Sequence, residues 1–128
     1  MNESPAASRR ILLVEDDPDS AESLELLLTM AGHTVHVAHD GDSALRAAGD
    51  FLPDVLLCDL GLPDGVSGHT VATTLRDDAQ FAAVFRVAIT GRSTSQDQQQ
   101  ARQAGFDAFL TKPVTMQTLE SILRSMPR

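Results

Sequence analysis

Strand-like and helix-like patterns alternate five times along this chain, with turn residues between them, and that alternation restricts the fold more than any other feature of the sequence. Strands separated by helices are the mark of a parallel sheet covered by helices on both faces, so the class is α/β. Strands are predicted over Ile11–Glu15, Thr34–Ala38, Val55–Asp59, Val84–Thr90 and Asp107–Thr111. The first and third are continuously apolar and belong in the sheet centre, where both faces are covered. The second alternates Val35 and Val37 with His36, which suits an edge.

Each predicted helix carries its own start and stop chemistry. The first opens with Asp17 as N-cap and Pro18 at the first helical position, and stops at Gly32. Between them Ala21, Leu24, Leu27, Leu28 and Ala31 form its apolar stripe. The second helix is expected from Asp40 to Gly49 and the third from about Gly68 to Asp77. The last begins at Thr115, with Met116, Leu119, Ile122, Leu123 and Met126 on one face. The fourth differs from these. Ser95 and Gln98 read as a capping box, but Gln96 to Gln103 offers only Ala101 for burial, so this helix is expected to be the most mobile element.

A length of 128 residues corresponds to one domain, with residues 1–8 as a disordered lead and residues 9–126 folded. The single cysteine, Cys58, excludes an intramolecular disulfide and reads as a small buried apolar residue of a reducing compartment. Neither a secretory signal nor a membrane-spanning stretch is legible, which fits a cytoplasmic protein. The net charge of −8, with ten scattered basic residues, argues against direct nucleic-acid binding.

Chemistry gathers at the strand ends, where parallel α/β sheets bind their ligands. Glu15-Asp16-Asp17 follows the first strand, Asp59 ends the third, Thr90-Gly91 ends the fourth and Lys112-Pro113 follows the fifth. Carboxylates at Glu15, Asp16 and Asp59 would repel one another unless a cation is present, and oxygen ligands select a hard ion such as Mg²⁺. The ion would leave Asp59 ionised and able to act as a nucleophile toward an anionic phosphoryl group. Lys112 provides positive charge and Thr90 a hydroxyl donor. Gly91 leaves its backbone amide open, and Gly61 lies where its carbonyl can complete the metal shell.

The runs Ile11 to Asp17, Asp59 to Gly65, Thr90-Gly91 and Ala104 to Pro113, in this order at strand ends, resemble the receiver domain of two-component response regulators over about residues 9 to 126. The resemblance implies a doubly wound, flavodoxin-like sheet of five parallel strands in order 2-1-3-4-5 with five helices. It implies that Asp59 is the phosphoacceptor and that its donor is a histidine kinase or a histidine phosphotransfer protein. Glu15 and Asp16 would form the acid pocket, Asp16 as a direct metal ligand. Thr90 and Lys112 would hold the phosphoryl group, Thr90 and Phe109 would form the switch, and Lys112-Pro113 would be cis. An output partner, unnamed by the sequence, would read the surface of the fourth helix, fifth strand and fifth helix.

Plainer readings suit several of these residues. Asp17 suits capping better than metal binding. His33, His36 and His39 resemble a metal comb, but on a strand His36 points away from the other two, so surface histidines are expected. A flavin or nucleotide phosphate needs backbone donors after the first strand, where Glu15-Asp16-Asp17-Pro18 offers negative charge and a missing N–H. A phosphatase with an aspartyl nucleophile would need a second acid where Gly61 stands.

Overall fold

The computed structural model describes residues 8–63, 65–92 and 94–126. Five strands form one parallel sheet: β1 (Arg10–Val14), β2 (Thr34–Ala38), β3 (Val55–Asp59), β4 (Phe85–Thr90) and β5 (Ala108–Thr111). Their spatial order is β2-β1-β3-β4-β5. The helices are α1 (Pro18–Met30), α2 (Gly41–Phe51), α3 (Gly68–Arg76), α4 (Ser95–Ala104) and α5 (Met116–Arg124). The expected fold class, strand order and edge position of β2 all hold. Of the expected lead, only Ser8 lies within the described residues; its hydroxyl donates to the Gly32 carbonyl.

The two-residue period of the strands sorts their side chains into two cores. Ile11, Leu13, Val55, Leu57, Phe85, Val87, Ile89 and Leu110 pack with Leu24 and Leu28 of α1 and with Leu119 and Leu123 of α5. On the opposite face Leu12, Val14, Leu56, Cys58 and Ala88 pack with Ala44 and Ala48 of α2, Val71, Ala72 and Leu75 of α3, and Ala101 of α4. Every residue of β3 and β4 is buried, as central strands require. Cys58 is wholly buried, and burial pushes its thiol up, which suits an inert apolar role.

Cap chemistry explains most helix boundaries. The Asp17 carboxylate accepts from the Ser20 amide, Pro18 opens α1, and Gly32 follows its end at φ +97°. Asp40, Ser67 and Thr115 cap α2, α3 and α5, the last with a reciprocal box to Thr118. Two expectations need correction. Helix α2 runs through Gly49 to Phe51 and ends at Leu52, which takes the left-handed conformation at φ 54°. Pro53 is the reason, because the residue before proline disfavours the right-handed helical region. The cap of α4 is Thr94, one residue earlier than Ser95, with its hydroxyl accepting from the Asp97 amide and donating to the Asp97 carboxylate.

The loop after β3 is held by close backbone packing. A Cβ on Gly41 would overlap the carbonyl of Val66, and a Cβ on Gly68 would come within 3.0 Å of the Asp59 carbonyl oxygen. Neither glycine has a positive φ, so close approach rather than backbone conformation selects the residue at both sites.

Candidate functional site

The strand order reverses beside β1, because β2 lies on its outer side while β3, β4 and β5 follow on the other. At such a point the loops leaving β1 and β3 diverge and open a crevice at the carboxyl ends of the strands. Glu15 follows β1 directly, with its amide bonded to the Ala38 carbonyl, and Asp59 is the last residue of β3. The register places Asp59 beside Ile89 of β4, and Thr90 beside Thr111 of β5. Four strand ends thereby deliver the acids, the hydroxyl and the amine to one place.

Lys112 is the centre of the arrangement. Its Nζ lies 3.0 Å from Asp59 Oδ2 and 3.1 Å from Glu15 Oε1, bridging two carboxylates from different strands. Glu15 is only 1 % exposed and Asp59 6 % exposed, so each requires a partner to remain there. The Gly61 amide donates to Asp59 Oδ1 at 2.8 Å, and the Asp17 amide donates to Glu15 Oε2 at 3.2 Å. Ligand oxygens of Glu15, Asp16 and Asp59 all lie within 4.8 Å of one another. This is an oxygen-only donor set of the size and hardness that Mg²⁺ takes.

Their surroundings shift the two buried acids in opposite directions. Burial, helped by a hydrogen bond with Asp59, pushes Glu15 up to about 7. Burial acts on Asp59 in the same sense, but hydrogen bonds from Glu15, the Gly61 amide and Lys112 outweigh it and hold its carboxyl below the ordinary value. The site therefore raises the proton affinity of Glu15 and lowers that of Asp59. Burial works against the charge of Lys112, yet hydrogen bonds to Asp59 and Glu15 prevail and raise it above the usual lysine value.

Thr90 is buried and its Oγ1 accepts from the Arg92 amide at 3.1 Å, which leaves its own hydrogen free to donate. Nothing would obstruct a Cβ at Gly91, so the backbone there is open. Phe109 stands opposite Ala88, two residues before Thr90 on the same face of the sheet. It is half-buried against the core beneath α2, α3 and α4, beside a small cavity of about 60 Å³ that Gln98, Ala101, Arg102 and Phe106 also line. The Lys112-Pro113 bond is cis.

The three histidines of the apparent comb do not converge. His36 stacks on Phe51 at 5.5 Å between ring centroids, and His39 Nδ1 lies 3.1 Å from the Glu15 carbonyl. His33 corrects the surface expectation. It is buried, and its Nδ1 accepts from the Arg9 amide at 3.0 Å. Sequence reasoning also missed Arg86, buried in β4, whose guanidinium donates to the Gly105 carbonyl at 2.6 Å and the Ala82 carbonyl at 3.2 Å. An arginine inside the apolar run Val84–Thr90 was the available signal.

The model of the response regulator receiver domain matches residues 11–124. The transcriptional regulatory protein KdpE of Mycobacterium tuberculosis is 37% identical over 118 residues, covering 92% of this chain and 50% of KdpE. The response regulator PleD of Caulobacter vibrioides is 37% identical over 121 residues, 94% of this chain and 26% of PleD. The chain thus spans half or less of the length of these curated relatives. Among solved structures, the receiver domain of a sensor histidine kinase from Pseudomonas aeruginosa, with a magnesium ion coordinated in its active-site cleft, superposes with a TM-score of 0.84 at 31% identity, covering 94% of this chain and 98% of that one. The chemotaxis protein CheY4 of Vibrio cholerae superposes with a TM-score of 0.87 at 25% identity, covering 94% of this chain and all of that one. With the site geometry and these matches agreeing over nearly the whole length, this chain belongs to the response regulator receiver domain family, the signalling domains of two-component systems.

Proposed function

We propose that the chain is a Mg²⁺-dependent phosphoacceptor switch in which Asp59 takes a phosphoryl group from a phosphohistidine of a histidine kinase or a histidine phosphotransfer protein. The observation that carries this reading is the Lys112 bridge between Asp59 and Glu15, with Asp16 alongside: a paired anionic nucleophile, an acid pocket and a cation in one crevice. Glu15, Asp16, Asp59 and the Gly61 carbonyl would hold the ion, Asp16 as a direct ligand. Bound Mg²⁺ neutralises the carboxylates and offsets the charge of the incoming phosphoryl oxygens.

In the transfer, an Asp59 carboxylate oxygen bonds to phosphorus as the phosphorus–nitrogen bond breaks, and the imidazole nitrogen leaves with the bonding pair. Lys112 and the Thr90 hydroxyl hold the equatorial oxygens, and the open backbone at Gly91 adds a donor without a side chain over the cleft. Slow hydrolysis of the acyl phosphate restores the carboxylate. The chain so catalyses only its own phosphorylation and dephosphorylation. A groove of about 530 Å³ along α1, with Leu24, Leu27, Pro113 and Val114 next to Glu15 and Lys112, suits the approach of the phosphohistidine carrier.

The switch follows from charge. A phosphoryl group adds roughly two negative charges. Thr90 drawn toward it vacates space on the face that Phe109 shares, and the surface of α4, β5 and α5 changes for a partner protein. Moving a 1:99 population to 99:1 needs about 5.5 kcal/mol. Two or three charge-assisted hydrogen bonds of roughly 1.5–3 kcal/mol each are sufficient. The net charge of −8 argues that this domain acts through protein rather than by touching nucleic acid.

Incubation with Mg²⁺ and acetyl phosphate, followed by intact mass, tests the reading. One phosphoryl group is expected on the wild type and none on Asp59→Asn or without the metal. Modification that persists in Asp59→Asn defeats the proposal.

A further inference from the structure

The two ends of α4 are held very differently. At the carboxyl end three successive carbonyls accept from side chains of other elements. Arg76 Nη1 donates to Gln103 at 3.1 Å, Thr73 Oγ1 to Ala104 at 2.9 Å and Arg86 Nε to Gly105 at 2.6 Å. The Arg76 stem also lies across Gly105, where a Cβ would come within 3.1 Å of its Cδ. Gly105 itself closes the helix at φ +107°, and the Phe106 amide bonds back to the Ala101 carbonyl. The apolar contacts of the helix fall at this end as well, with Ala101 buried and Ala104 half-buried. At the amino end, by contrast, the cap from Thr94 to Asp97 is internal to the helix, Arg92 Nε approaches the Asp97 carboxylate only to 3.8 Å, and Ser95, Gln96, Gln99 and Gln100 are exposed.

We infer that Thr73, Arg76 and Arg86 are positioning residues that pin the carboxyl end of α4 to α3 and β4, so that this helix moves by swinging its amino end about residues 103–105. Last-turn carbonyls of a helix have no partner within the helix, so cross-element donors there fix position without interrupting the helix. Two of the three donors are guanidinium groups, whose hydrogen bonds exceed neutral ones in strength. The amino end is the one that follows Thr90 in sequence, and so it lies where a movement of Thr90 would first be felt. The anchoring stands on geometry alone. Its use in signalling rests on the phosphoacceptor reading given above.

Amide hydrogen exchange followed by two-dimensional NMR tests the inference on the full 128-residue chain without phosphorylation. In the wild type, Gly105 and Phe106 are expected to exchange about tenfold or more slowly than Gln99 and Gln100. In the double variant T73V/R76M, which keeps only the Arg86 bond, that difference is expected to shrink several-fold, with β1 and β3 amides unchanged, and Thr73→Ser is expected to keep it. Uniform or reversed exchange along wild-type α4 overturns the inference, and so does a gradient of wild-type size in T73V/R76M. The wild-type measurement decides even if the double variant does not fold. With Mg²⁺ and acetyl phosphate, shift changes are expected over residues 94–100 and small at 103–107. Failure to phosphorylate would count against the proposed function, while the unphosphorylated gradient would still judge the anchor.

Discussion

Helix α2 contains two glycines for which the structure predicts opposite responses to the same substitution. Gly49 is exposed, lies within the helix and has nothing within 4 Å of an added Cβ. Gly49→Ala therefore recovers the helix-propensity difference of about 0.8–1.0 kcal/mol. Gly41 is the first helical residue, and its Cβ would overlap the Val66 carbonyl oxygen and lie 2.9 Å from both the Val66 carbonyl carbon and Cβ. The obstacle is backbone, so the loop before α3 must shift. Overpacking of this kind costs roughly 1–3 kcal/mol, against a propensity gain of at most about 1 kcal/mol. Taking a urea m-value of about 2 kcal/mol/M, the unfolding midpoint is expected to rise by roughly 0.4–0.5 M in Gly49→Ala and to fall by up to roughly 1 M in Gly41→Ala. The loop that Gly41 meets also carries Gly61, whose amide holds Asp59, so phosphorylation by acetyl phosphate is expected to slow in Gly41→Ala alone. A Gly41→Ala protein stabilised as much as Gly49→Ala would refute the packing argument.

Arg86→Met keeps the stem and removes the donors to Gly105 and Ala82. It is expected to lower stability by about 2–4 kcal/mol in urea unfolding, since two carbonyls lose a charged partner. His33 is buried beside Arg9, and both effects hold its pKa below the ordinary value of 6.5. The unfolded chain then binds a proton that the folded chain refuses, so stability is full above about 6.5 and falls as the pH drops below it. His33→Gln is expected to remove that slope from the urea midpoint between pH 7.5 and 5.5, and an unchanged slope would acquit the histidine. Thr90→Ala is expected to accept phosphate, yet to show smaller NMR shift changes at Phe109 and along α4 than the wild type. Equal changes would take the threonine out of the switch.

Both the sheet and the placement of the candidate site were legible because each depends on local pattern. Continuous apolar runs placed β1 and β3 at the centre, the alternation in Thr34–Ala38 placed β2 at the edge, and Asp17-Pro18 marked the start of α1 within a residue. Glu15, Asp59, Thr90 and Lys112 came into view because ligand crevices form at the carboxyl ends of parallel strands. What stayed hidden depends on partners distant in sequence. Nothing local distinguishes Gly41 pressed against Val66 from the exposed Gly49 eight residues later. His33 looked like a surface residue until Arg9, 24 residues earlier, appeared as its donor. Arg86 was overlooked because the carbonyls that justify a buried guanidinium belong to the segments that lead into β4 and into β5.

The separation of the interior into two cores bears on how such a chain can diversify. Substitutions beneath α1 and α5 touch those beneath α2, α3 and α4 only through the backbone of the sheet. Mutations about 7–10 Å apart without shared partners add almost independently. Drift in the layer beneath α1 and α5 therefore leaves the layer beneath α2, α3 and α4 free to follow its own course. One scaffold can in this way repack one side of its sheet while the other side stays as it is.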